Sequence, residues 1–145
     1  MNWRIHGELK AWDGDIENEI RRLFALLDSQ RRFSIGLWAL PEGVPLDKVN
    51  HKKWPQEYIQ AAGSREGMVV EVRTLTGRGP VQSVIGRDVA PESAATEIVR
   101  WNDVENRVFP REVFDAAEAG ELFVSYYASG DVAAGYVGRE IVVAS

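Results

Sequence analysis

Cysteine is absent from the 145-residue sequence. That one absence excludes disulfides, thiolate metal sites and thiol nucleophiles together, so stability has to come from packing. Histidine is nearly absent too. His6 and His51 stand far apart, with no HxxxH or HxH spacing that would converge on a metal or activate a nucleophile. Both read as ordinary surface or turn residues. The GxSxG elbow of a serine hydrolase is missing as well. No stretch approaches the roughly 18 apolar residues of a membrane span, and residues 1–10 lack the apolar core of a signal peptide. The expected location is the cytoplasm. Positive charge is in deficit, with 17 basic against 22 acidic residues and a formal net charge of −5. The summed field repels nucleic acid and anionic lipid and favours a basic partner, although a mild negative charge also serves solubility alone.

What is present suits one globular domain covering residues 1–145. The hydrophobic share of 45% and charged share of 27% are those of an ordinary folded chain. A chain of this size can bury roughly 68 to 70% of its unfolded surface. Neither an internal repeat nor a linker divides it.

Trp3, Ile5 and Leu9 suit a short opening strand. From residue 15 to about 29, Ile16, Ile20, Leu23, Phe24 and Leu27 recur at helical spacing. They predict a helix capped by Asp13 or Asp15, with Arg21 and Arg22 on its outer face and Arg31 and Arg32 past its end. Residues 33–40 form a nearly continuous apolar run, expected as a central strand with Trp38 in the core. Pro41, Gly43 and Pro45 then mark a loop carrying His51, Lys52 and Lys53. Pro55 and Gly63 bracket what reads as a short helix, by the usual preference for proline at a helix start and glycine beyond its end.

Residues 68–75 alternate as a strand, and the Gly77-Arg78-Gly79-Pro80 turn joins them to residues 81–87 in a hairpin. A second hairpin is expected from residues 96–101 and 107–109, around the polar cluster Asn102 to Asn106. Pro110 opens a second helix to about residue 128. Val113, Phe114, Ala117, Leu122 and Tyr126 face its core side, Gly130 terminates it, and Gly120 marks either a close helix contact or a break. Ile141, Val142 and Val143 suit a last strand. The fold class is α+β, a meandering and mostly antiparallel sheet packed against two main helices.

Chemistry-bearing groups are sparse. Gly77 to Pro80 lacks the lysine and following helix of a phosphate loop. Carboxylates are numerous, but Glu71, Asp103, Glu105, Glu112, Asp115, Glu118 and Glu121 fall mostly on a polar turn or an outward helix face. Acid–base work needs two of them in one partly buried cleft. Glu112, Asp115 and Glu118 recur every third residue and, extended by Asp103 and Glu105, form an acidic ridge. It is either a partner surface or a solvated helix face. Five tryptophans are many for this length, and tryptophan is enriched at binding hot spots; Trp12 and Trp54 stand beside charged, turn-like residues.

The second half carries Tyr58-Ile59-Gln60-Ala61-Ala62-Gly63, Val70-Glu71-Val72-Arg73, Val99-Arg100-Trp101, and residues 108–114 (Val-Phe-Pro-Arg-Glu-Val-Phe) leading to Tyr126-Tyr127. In these phrases it resembles actinobacterial immunity proteins encoded beside secreted polymorphic toxins, in particular the immunity factors of NAD-glycohydrolase toxins. The resemblance implies an antitoxin that covers the active-site cleft of its cognate toxin, and it transfers no binding residue to a numbered position. The candidate contact residues chosen from the sequence are Trp54, Arg78, Trp101, Asp103, Glu105, Asp115 and Glu118. No catalytic residue, metal or cofactor is expected. The alternatives are a small hydrolase using a carboxylate pair with Arg73 or Arg100, and a small-ligand regulatory module with an enclosed apolar pocket lined by tryptophans.

Overall fold

A computed structural model describes residues 15–141. The expected opening strand around Trp3, Ile5 and Leu9, together with His6, Trp12, Asp13, Val142 and Val143, lies outside the described residues. Helix α1 spans Ile16–Phe24 and β1 Ser34–Leu37, followed by β2 (Tyr58–Ser64), β3 (Gly67–Thr76) and β4 (Gly79–Arg87). Strands β5 (Glu97–Trp101) and β6 (Val104–Val108), helix α2 (Ala116–Ser129) and strand β7 (Tyr136–Ile141) complete the order. The α+β class holds. Five strands form one antiparallel sheet in the order β1-β2-β3-β4-β7, and β5 pairs with β6.

Side chains opposite one another across a ladder share a face, which divides the large sheet cleanly. Ile59, Ala61, Met68, Val70 and Ile85 point to the helix side, where they bury Ile20, Phe24 and Leu27 and the α2 residues Ala119, Leu122 and Phe123. Phe24 and Phe123 meet edge to face with ring centroids 4.6 Å apart. On the other face Val69 and Val84 pack with Val99 and Val108 of the small hairpin, forming a second cluster bordered by Trp101, Val113 and Ile141. The described residues therefore form three layers: two helices, a five-stranded sheet and a two-stranded ribbon.

Several sequence expectations are corrected. Residues 55–63 contain no helix; β2 runs through them with Ile59, Ala61 and Gly63 buried and their neighbours half-buried. Pairing on both sides, with β1 and β3, outweighs the helical preference of alanine and glutamine. The run at 33–40 supplies not a central strand but the edge strand β1, four residues long and alternately exposed. Trp38 lies beyond its end, half-buried and outside the core. Helix α1 stops at Phe24, short of residue 29, because the chain turns to bring Leu27 inward and Asp28 into a bridge with Ser64. Asp15 is its cap, accepting from the Asn18 N–H at 3.2 Å.

The second helix starts later than Pro110. That proline opens a 3₁₀ turn, Pro110–Glu112, and Phe114 then bridges Met68 before Asp115 caps α2. Ala117 is exposed, whereas Gly120 is buried: a Cβ there would sit 3.7 Å from the Arg21 Cα and 3.8 Å from Phe24, so the glycine marks the close contact of α1 with α2. Gly130 ends the helix with a φ of 77°. In the second hairpin only Asn102 and Asp103 form the turn, and Val104 to Asn106 belong to β6. The last strand begins at Tyr136, earlier than expected. No helix among the described residues is long and apolar enough to cross a membrane.

Candidate binding groove

Between β1 and β2 the chain spans residues 38–57 with one 3₁₀ turn, Leu46–Lys48, as its only regular element. Connections beyond about 12–15 residues without structure of their own are uncommon in compact domains, and those that are ordered are usually functional. This one is held by its own turns. Val44 N–H donates to the Pro41 carbonyl, Lys48 N–H to Pro45, and the N–H groups of Lys53 and Trp54 to Asn50. Its own Val49 is buried, and Trp38 meets His51 edge-on with ring centroids 6.3 Å apart. The Trp54–Pro55 peptide bond is cis.

This connection forms one side of a groove of about 1080 Å³. Trp38 and Trp54 come from the connection, Leu37 and Val72 from the sheet, and Tyr126 and Tyr127 from the last turn of α2. The groove lies at the C-terminal end of α2, where Gly130 and Asp131 join its lining. Leu37, Val72 and Tyr126 are also packed against the main core, so the groove is where that core reaches the surface. Tyr127 and Leu75, both lining it, are more than two-fifths exposed, an apolar patch of the kind that marks interaction sites.

Charge is placed around the aromatics. Glu42 and Glu57 lie on the connection side, Asp131 beyond the helix end, and Arg73 on β3. Strand β2 begins at Tyr58, so the Leu75 N–H has no β2 carbonyl to meet; Glu57 Oε2 accepts it instead at 3.1 Å. Asp131 is steadied by the Val132 N–H on its Oδ1 at 2.8 Å, and its main-chain carbonyl accepts from the Ser125 and Ser129 hydroxyls. Burial holds the Tyr126 phenol above its ordinary range, and the charges of Glu57 and Asp131 push it in the same direction.

Of the seven contact residues chosen from sequence, only Trp54 lies in this groove, where it is half-buried. Arg78 is exposed in the β3–β4 turn, its N–H on the Thr76 hydroxyl at 3.2 Å. Trp101, Asp103 and Glu105 fall together on the β5–β6 hairpin; Trp101 is half-buried against the second cluster, Asp103 is exposed at the tip, and Glu105 pairs with Arg100 at 2.9 Å. Asp115 caps α2, accepting the Glu118 N–H at 2.9 Å. Glu118 receives the Arg87 Nε at 3.0 Å and the Tyr136 hydroxyl at 2.9 Å.

The expected acidic ridge is thus not one outward surface. Glu112, its first member, is 1% exposed and accepts from Arg139 Nε and Nη2 at 2.8 and 2.9 Å. Gly86 makes room for it, since a Cβ there would lie 3.2 Å from the Glu112 side chain. Glu71, another of the carboxylates, accepts from Gln60 at 2.7 Å and Gln82 at 3.0 Å in a row across the sheet. Each of these acids is engaged separately. Among the described residues no three His, Asp or Glu side chains gather as a metal site would require.

Trp38, Glu57, Tyr126, Tyr127 and Asp131 escaped selection from the sequence. The length of the connection is a signal for Trp38 and Glu57, and no local signal marks Tyr126, Tyr127 or Asp131. No protein-family model, curated protein or solved structure matches this chain.

Proposed function

We propose that this chain is an immunity-type binding protein that associates one-to-one with a bacterial toxin, its cognate partner, in the cytoplasm and blocks it, with the aromatic groove as its contact face. The observation that carries the reading is the groove itself: an open end of the core in which two tryptophans and two tyrosines converge from distant segments. Buried aromatic anchors dominate binding energy at interfaces, while surrounding polar groups set orientation and partner choice. The negative net charge would speed encounter with a basic toxin surface.

The test is co-expression with the product of the neighbouring gene. Protection and co-purification of a one-to-one complex are expected, and Trp54→Ala should abolish both while the variant keeps its fold by circular dichroism. Failure of the wild-type chain to protect or co-purify would overturn the immunity reading. Full protection by both Trp54→Ala and Trp38→Ala would move the interface away from the groove.

A second reading, a regulatory ligand module, draws on the same two tryptophans. The groove, at about 1080 Å³, is slightly above the roughly 300–1,000 Å³ of small-molecule sites and is open, not the enclosed apolar pocket expected of a regulatory ligand module. A compound released on denaturing natively purified protein, identified by mass spectrometry, would favour it.

A further inference from the structure

We propose that the groove is built to seat a cationic side chain, an arginine or lysine presented by a protein partner. The proposal rests on the binding reading above and names the chemistry of the anchor. Three observations lead to it. Trp38, Trp54 and Tyr126 line one cavity, and a guanidinium or ammonium group is attracted to aromatic rings by their quadrupole. Carboxylates stand on both sides: Glu57 comes from the connection before β2 and Asp131 from beyond the end of α2. Each is fixed by a main-chain N–H on one oxygen, so each charge is held in position before any ligand arrives.

The two charges act on a common point. The Tyr126 hydroxyl, buried first of all, feels both Glu57 and Asp131. With Glu42 added, three acids among the described residues line the groove, with Arg73 as the base beside them. An aromatic site of this sign selects a cation over a neutral side chain of equal shape. Its volume of about 1080 Å³ is several times that of one side chain, which leaves space for the segment that presents the cation.

The experiment uses the full chain and follows its five tryptophan indole N–H resonances during titration with acetyl-Gly-Arg-Gly-amide. The lysine counterpart and the neutral citrulline counterpart are titrated in parallel. Saturable shifts of the Trp38 and Trp54 indoles are expected with the arginine or lysine peptide, and at least about tenfold weaker binding of the citrulline peptide. Glu57→Gln combined with Asp131→Asn keeps both main-chain acceptors and should weaken the arginine peptide about tenfold without changing the citrulline peptide. Equal binding of charged and neutral peptides, shifts confined to other indoles, or no saturable shift would each overturn the proposal. If the peptides fail while Trp54→Ala still abolishes protection, the cation seat falls and the toxin-blocking reading stands. If the charged peptides bind selectively while Trp54→Ala still protects, the cation seat stands and the toxin face lies elsewhere.

Discussion

Gly63 shows how far a single residue can constrain this chain. It takes a φ of 139°, and a Cβ added there would come within 2.5 Å of the Gly67 carbonyl oxygen and 2.8 Å of the Met68 Cα. Both contacts are with main chain inside the β2–β3 hairpin, so neither can swing aside. Gly63→Ala is expected to cost roughly 2–4 kcal/mol, read from the midpoint of urea unfolding. Tyr136 carries a pH signature. Its phenol is held above the ordinary value by burial, then by its hydrogen bond to Glu118, so the folded state keeps the proton that the unfolded chain gives up at about pH 10. The stabilisation is fully present below that pH and is lost as pH rises through the folded value. Tyr136→Phe should therefore be less stable than wild type by about 1 kcal/mol at pH 7, with the gap narrowing above about pH 10 in thermal scans. A gap that stays constant to pH 11 would contradict this assignment.

At the level of elements, α2 depends on Asp115, a residue that the sequence offers as a candidate contact and the fold uses as a cap. Asp115→Ala should destabilise the protein by about 1 kcal/mol through loss of the bond to the Glu118 N–H, measured by denaturant titration. Reversing the charge of Glu118 would set a cation beside Arg87 and report on folding before it reported on any complex. The hairpin β3–β4 and the end of α2 were legible because their cues are local: alternating valines, a Gly-Arg-Gly-Pro turn, and a terminal glycine. Strand β2 was not legible. Pro55 and Gly63 imitate helix punctuation, and Ile59, Ala61 and Gly63 reveal their alternation only once β1 and β3 lie on either side. The groove suffered the same way. Trp54 could be picked from its charged surroundings, but Trp38 sat in an apolar run that looked like core. Nothing local links either one to Tyr126 or Asp131, which the fold brings to the same place.

For the molecule as a whole, an occupied groove would tie together residues 38–57 and the turn at 126–131, segments separated by most of the sheet. Amide hydrogen exchange should slow in both segments at once when the partner binds, and protection confined to one of them would argue against the groove as contact face. The last consequence comes from β3, whose adjacent residues Val69 and Val70 face different apolar clusters. One strand thus serves as the shared partition of two compartments, and loosening it empties both. Despite having two separate hydrophobic interiors, the protein should melt in a single calorimetric step, with no surviving half.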